Sequence, residues 1–263
     1  MFWSDFIMMF YSHAKAEQMN KEIKAYEDNY NIVLDLEKLY VLRFDGVGMT
    51  RAFMNNKENK RIFLQTMKDT IYFFMKHEPE IRFAYSYSDE ISILLEEATI
   101  TRFKGRCEKI LSIFSSKITA AFYIAARKNH LDLSNTLRAF DGRIIELPNI
   151  DYVIKYFLAR QAFAISSNLV YLRNTNLNNY SLDNSNKIIE LLSKKGINYD
   201  EIPNYERFGI IYVNRQFHPS FEFLANQPKL KLLIKERKTY QNTYDPVNAK
   251  KRIKWYYNQS QKK

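Results

Sequence analysis

Residues 83–97 read FAYSYSDEISILLEE. Two alternating runs rich in aromatic and β-branched residues flank Ser88-Asp89-Glu90, which predicts a β-hairpin with its acids near the tip. On the N-terminal side, Phe63, Met67, Ile71, Phe74 and Met75 recur at helical spacing between Glu58 and Lys76, and Pro79 closes that helix. On the C-terminal side, residues 102–127 carry one apolar stripe: Phe103, Cys107, Ile110, Leu111, Phe114, Ile118, Ala121, Phe122 and Ala125. Arg106, Lys109 and Ser112 fall on the other side of that helix. A strand stands at each outer end of this block. KLYVLRF (38–44) points Tyr40, Leu42 and Phe44 one way and Val41, Arg43 and Asp45 the other, and it stops at Asp45-Gly46-Val47-Gly48. RAFDGRIIEL (138–147) is the second. Strand, helix, hairpin, helix, strand predicts an α+β fold: an antiparallel sheet with helices packed on one face.

Further out, residues 14–28 read as a polar surface helix. Helices are expected at 150–170 and 184–195, and IIYV (210–213) as a last short strand. This divides the chain into an N-terminal helical segment (1–30), a catalytic-domain candidate (31–213) and a C-terminal extension (214–263). Gly and Pro number six each in 263 residues, so long flexible linkers are not expected inside the domain.

The formal charge of +11 is concentrated in the extension, where Lys229 to Lys263 holds eleven Lys and Arg against two acids. Its end, KKRIKWYYNQSQKK, interleaves cations with Tyr and Trp, a composition suited to a phosphate backbone with stackable bases. The one cysteine, Cys107, excludes an intramolecular disulfide and suits a reducing, cytoplasmic setting. The opening MFWSDFIMMFYSH lacks a basic n-region and is broken by Asp5. It reads as an amphipathic or docking segment, and no membrane span is expected. His13, His77, His130 and His218 stand in no metal-ligand spacing and read as surface or structural residues. There is no Walker-type loop and no CxxC pair.

Asp45 at a strand end and Asp89 at a hairpin tip are the chemical candidates. Polymerase palms bring two carboxylates together from a strand end and an adjacent acidic hairpin. Two magnesium ions roughly 3.5–4 Å apart can stabilise both the attacking and leaving oxygens of a phosphoryl transfer. Magnesium keeps several waters, so two carboxylates and the Gly46 carbonyl suffice as protein ligands. The glycine-rich backbone of 46–50 can approach phosphates closely.

RFDG (43–46), YSYSDE (85–90), the Arg106–Lys109–Ser112 helix face, FDGR (140–143), ARQ (159–161) with Asn168, and GINYDEIP (196–203) occur in order. In this they resemble the tRNA-His guanylyltransferase family, which adds nucleotides in the 3′-to-5′ direction at the 5′ end of tRNA. KAYED (24–28) resembles a K-x-Y-E segment of its tRNA-repair branch, and the resemblance covers about residues 20–213. It implies a polymerase-palm-like domain, two Mg2+ ions, GTP, ATP or another nucleoside triphosphate as substrate, tRNA or tRNA-like RNA as partner, and a dimeric or tetrameric assembly. On that model Asp45, the Gly46 carbonyl and Asp89 bind metal, and Glu90 completes the acidic tip. Arg43, Val47, Gly48, Met49, Thr50, Lys57, Ser88, Arg106, Lys109 and Ser112 bind the nucleotide. Arg160, Gln161, Asn168 and Lys187 serve RNA binding and 5′ activation.

The sequence departs from the family in four places, one of them a segment between Tyr171 and Lys187 much shorter than in guanylyltransferases proper, which favours the tRNA-repair type. The loop after Asp-Gly reads VGMTRAF, where the family has Arg and then a His-aromatic pair. Tyr87 replaces a Gln before Ser-Asp. Ile165-Ser166-Ser167-Asn168 stands where the eukaryotic branch has His-Ile-Asn-Asn. The last change favours the tRNA-repair type over dedicated G addition. Two competing readings are a palm-type cyclase or oligonucleotide synthase making a nucleotide signal, and a non-catalytic RNA-binding relative.

Overall fold

The computed structural model describes residues 13–28, 32–54, 56–81, 83–133, 136–177 and 184–213. The basic extension, its interleaved aromatics and the apolar opening lie outside these residues. The polar helix is present as α1 (His13–Asp28).

Strand β1 (Leu39–Gly46) lies inside the sheet and is covered on both faces, which is why Tyr40, Val41, Leu42 and Phe44 are all buried. The hairpin forms as β2 (Phe83–Tyr87) and β3 (Glu90–Leu94). β3 pairs antiparallel with β1 from Val41↔Leu94 to Asp45↔Glu90. On the other side of β1, β4 (Phe140–Leu147) pairs antiparallel from Leu39↔Leu147 to Gly46↔Phe140. β5 (Ile210–Val213) closes the outer edge of β2, giving the order β4-β1-β3-β2-β5. The first four strands and the two long helices between them make the split β-α-β-β-α-β arrangement.

Those two helices occupy one face, as the sequence pattern requires. Asn56 caps α3 (Lys57–His77) by accepting from the Asn59 N–H at 2.8 Å. With α5 (Cys107–Lys128) it buries Phe63, Met67, Ile71, Phe74, Phe114, Ile118 and Phe122 against Leu42, Phe44, Ile91 and Ile93. Phe74 and Phe114 meet edge to face at 5.4 Å, and each fully buried side chain of this kind contributes about 2–3 kcal/mol. By length and composition α5 could cross a membrane, yet its apolar stripe is the core of this layer.

The structure adds a helix to the other face. Asn149 caps α6 (Ile150–Asn176), which runs past the expected end near 170. Its first half seats Val153, Ile154 and Phe157 on Val41, Phe83, Tyr85 and Leu94. Its second half packs with α7 (Ser185–Lys194) in a separate small core of Leu169, Leu172, Ile188, Leu192 and Tyr199. Three short helices were not anticipated: α2 (Met49–Phe53), α4 (Glu97–Arg102) and α8 (Asn204–Phe208).

Candidate active site

The hairpin turns in two residues, since Tyr87 and Glu90 are still paired. Ser88 takes a positive φ of 54°, as a primed hairpin turn demands at its first central position. That turn presents Asp89 beside the end of β1. The Gly46 N–H donates to the Asp89 carbonyl at 3.1 Å. A Cβ on Gly46 would stand 2.6 Å from Met49 Sδ and 3.0 Å from Asp89 Cβ, so glycine is required for this approach. Asp89 Oδ2 accepts from the Thr50 N–H at 3.0 Å and from Thr50 Oγ at 2.6 Å. Both lone-pair sites of Oδ2 are thereby used, and Oδ1 is left for another partner.

Asp45 lies directly across from Glu90 on β3 and from Asp141 on β4. Three carboxylates therefore stand in a row across three strands, with Asp89 adjacent. Burial, then the charges of Asp89, Asp141 and Glu90, push the Asp45 carboxyl above the usual carboxylate range, while Arg143 pulls it back. Like charges opposite one another on a sheet repel, so this row calls for cations. Asp141 already has one, Arg143 Nη2 at 3.6 Å from its Oδ2, and so does Glu90. Arg160 of α6 grips it with both arms, Nε to Oε1 at 2.8 Å and Nη2 to Oε2. Ser92 Oγ donates to Glu90 Oε1 at 3.3 Å, which leaves the Tyr156 hydroxyl, 2.9 Å from Ser92 Oγ, to donate to it. Among the described residues no three His, Cys, Asp or Glu side chains converge as a complete metal-ligand set. The fitting donors are Asp45, Asp89 and the Gly46 carbonyl, a sparse oxygen set of the kind magnesium accepts.

Two positions back along the same face, Arg43 stands opposite Arg143 and Ser92. A row of acids at the sheet's end is thus followed, about 7 Å away by strand rise, by a pair of cross-strand arginines. Two facing guanidinium groups repel as two facing carboxylates do; Asp141 offsets part of this at Arg143, and a polyanion would relieve both arginines. Asp45, Glu90, Arg43 and Arg143 of these rows floor an open cleft of about 1010 Å³, which Gly48, Thr50, Arg51, Ser88, Phe163, Ser167 and Tyr171 also line.

Of the expected nucleotide-binding residues, Arg43, Gly48, Thr50 and Ser88 line this cleft, together with Asp45, Gly46, Asp89 and Glu90. Others do not. Met49 is fully buried beneath the loop, and Val47 is exposed away from the cleft lining. Lys57 opens α3 as an exposed residue and does not line the cleft. Arg106, Lys109 and Ser112 are exposed as expected, but they sit at the start of α5. There the Leu34 N–H bonds the Gly105 carbonyl, beside the beginning of β1. That is the opposite end of the strand from Asp45, roughly 20 Å away. Gln161 and Asn168 face inward on α6 and are buried, so neither is presented to a ligand in the cleft. Lys187 is exposed on the first turn of α7, outside the cleft lining. Glu90 is a partner of Arg160 and not a free acid.

The sequence reading missed Asp141 and Arg143 as site residues, although they belong to the quoted FDGR. Their signal was available: a strand of the same length as β1, with Asp and Arg at the same two-residue spacing as Arg43 and Asp45. Arg51, Phe163, Ser167 and Tyr171 were also missed. The last three follow i, i+4, i+8 along α6, a helical stripe without apolar continuity. His77 and His130 are exposed and far from this cleft in role, His77 bonding its own helix through the Phe73 carbonyl at 2.8 Å.

Comparison with known proteins agrees with this geometry. The family model for tRNAHis guanylyltransferase matches residues 20–148, which hold β1, the hairpin, both helices and β4. The chain is 29% identical over 185 residues to the tRNA(His) guanylyltransferase of Neurospora crassa, covering 66% of this chain and 61% of the relative. It is 27% identical over 219 residues to the one from Schizosaccharomyces pombe, covering 75% of this chain and 83% of the relative. It therefore spans less than two thirds of the Neurospora protein's length and more of the fission-yeast one. A bacterial tRNA(His) guanylyltransferase-like protein solved in complex with ATP superposes with a TM-score of 0.64 at 27% identity, covering 74% of this chain and 86% of that one. The acidic strand end and the acidic hairpin both lie inside the matched residues, and over them the chain is similar to the tRNA-His guanylyltransferase family.

Proposed function

We propose that this protein is a magnesium-dependent nucleotidyltransferase that adds nucleotides in the 3′-to-5′ direction to the 5′ end of tRNA or tRNA-like RNA. One observation carries the reading: Asp45 and Asp89 meet at one end of the sheet, in a row of like charges, directly before the Arg43–Arg143 pair. Asp45, Asp89 and the Gly46 carbonyl hold magnesium, which supplies charge neutralisation and Lewis acidity at phosphate oxygens. Arg43, Arg143 and Arg51 bind the triphosphate. Thr50 orients Asp89, and Arg160 keeps Glu90 from adding its charge to the pair. Transfer joins the incoming nucleotide's 3′-oxygen to the activated 5′-phosphorus of the RNA, with loss of the hydroxyl proton and departure of the activating group.

The names of the relatives support a tRNA substrate. The absence of histidine from Ile165-Ser166-Ser167-Asn168 favours the tRNA-repair type, in which 5′ activation proceeds without that side chain. The buried lone thiol of Cys107 is in keeping with a cytoplasmic setting.

The test is incubation of the protein with a 5′-truncated tRNA transcript, each labelled triphosphate and magnesium, followed by mapping of the product. Label at the 5′ end is expected. Asp89→Ala abolishes addition while RNA binding persists. Incorporation retained in Asp89→Ala, or a small nucleotide product formed without RNA, overturns the reading.

A further inference from the structure

Two aromatic side chains on α6 face the cleft, Phe163 and Tyr171, with Ser167 midway between them. Each is backed in the same way. The Arg160 guanidinium lies 4.6 Å from the Phe163 ring centre and is itself fixed by Glu90. The Lys60 ammonium lies 4.3 Å from the Tyr171 ring centre and is itself fixed by Glu206 at 2.7 Å. Lys60 is buried, only 7% exposed, in the interior where α3, α6 and α8 meet. Phe163, in contrast, is 53% exposed although it is large and apolar. The cleft wall thus repeats one unit twice: carboxylate, cation, aromatic ring.

An exposed phenylalanine beside an acidic metal row contributes nothing to the core, and its ring face is open to a planar ligand. The cations hold the rings from one side and restrict their rotamers, so little side-chain entropy is left to lose on stacking. The two rings spring from backbone positions about 12 Å apart along the helix. One nucleobase cannot span that distance, whereas several nucleotides of a strand can. The floor of the cleft, with its paired arginines, is where phosphates are drawn.

Resting on the nucleotidyltransferase reading above, we propose that Phe163 and Tyr171 form a stacking wall for unpaired bases at the 5′ end of the RNA, with Lys60 positioning Tyr171. Stacking is tolerant of base identity, so the wall grips a 5′ end without reading its sequence. Ser167 offers a hydroxyl between the rings to a sugar or phosphate oxygen.

The experiment measures the full chain's affinity for a fluorescent hairpin RNA with a three-nucleotide unpaired 5′ overhang, beside magnesium–GTP affinity by calorimetry. Phe163→Ala and Tyr171→Ala each weaken overhang binding about tenfold, and leave a blunt-ended hairpin and magnesium–GTP unaffected. Phe163→Tyr restores binding and Phe163→Leu does not, which separates stacking from mere apolar bulk. Lys60→Arg keeps overhang affinity, and Lys60→Met lowers it. Phe163 is exposed, so its variants fold and the test holds even where a Lys60 variant does not. Unchanged overhang affinity in both alanine variants overturns the proposal, as does a loss confined to magnesium–GTP, which would assign the wall to the incoming nucleotide. Because binding is read without transfer, failure of the wall is distinguishable from failure of the catalytic reading, which shows as unlabelled 5′ ends in the wild type.

Discussion

Thr50 holds Asp89 through both its backbone N–H and its hydroxyl, and both bonds end on the same carboxylate oxygen. The first turn of α2 therefore fixes which oxygen of Asp89 remains available. Thr50→Val keeps the N–H bond and removes the hydroxyl. The expected result is a roughly tenfold higher magnesium concentration at the midpoint of triphosphate binding, as loss of an orienting partner commonly gives. The fold should lose only about 1 kcal/mol. A magnesium titration of nucleotide binding, with urea unfolding alongside, checks both numbers.

Asp45 makes the opposite trade. Its carboxyl is pushed up by burial and by neighbouring acids, so the folded state holds that proton more tightly than the unfolded chain does. Stability then falls as pH rises from the ordinary carboxylate range through the raised value, and the whole cost is present at neutral pH. Asp45→Asn should therefore unfold at higher temperature than wild type at pH 7 without magnesium, by no more than about 1 kcal/mol given solvent screening. The difference should vanish below the ordinary carboxylate range. The same variant should show no magnesium-dependent triphosphate binding. Thermal unfolding across pH, with and without the ion, reads all three effects.

The Arg160–Glu90 pair has side chains only 21% and 12% exposed, so water screens it weakly. Arg160→Met leaves Glu90 unpaired beside Asp45, and the fold should lose roughly 3 kcal/mol. The double variant Arg160→Met with Glu90→Gln should recover much of that loss, because the stranded charge is gone. Chemical denaturation of the two variants decides this.

Two glycines should separate activity from stability. At Gly46 an added Cβ meets Met49 Sδ and Asp89 Cβ, so Gly46→Ala should push the hairpin tip from β1 and abolish transfer with modest loss of stability. At Gly209, φ is +75° and a Cβ would lie 2.5 Å from the Ser86 carbonyl. Gly209→Ala should cost well over 1 kcal/mol. Steady-state rates measured together with unfolding midpoints distinguish the two outcomes.

Asp45 and Asp89 were legible because each closes an alternating run at a turn, a purely local pattern. The layer of α3 and α5 was legible for the same reason. Asp141 and Arg143 were not, because their importance lies in the register of β4 against β1, and nothing within either strand states that register. The face carrying Arg106, Lys109 and Ser112 was read correctly as exposed, but its place along the sheet was not. A helix that follows β3 must begin where β3 ends, away from the hairpin tip. That rule of connection was available and locates those residues at the far end. Gln161 and Asn168 were misplaced because the inward stripe of α6 includes polar residues, which hides its phase; the Asn168 carbonyl oxygen is buried without a protein partner.

The late arrival of β5 shapes how this protein comes into being. The hairpin that carries Asp89 is synthesised by residue 94, yet the outer edge of β2 is sealed only when residues 210–213 pair with it and the Tyr85 hydroxyl donates to the Phe208 carbonyl at 3.0 Å. Throughout the intervening translation an apolar strand, FAYSY, stands with an open edge. Such an edge invites pairing with other nascent chains. A ribosome-released fragment ending before residue 196 would thus be expected to require a chaperone to stay in solution. β5 serves newborn chains as the seal that ends their exposure.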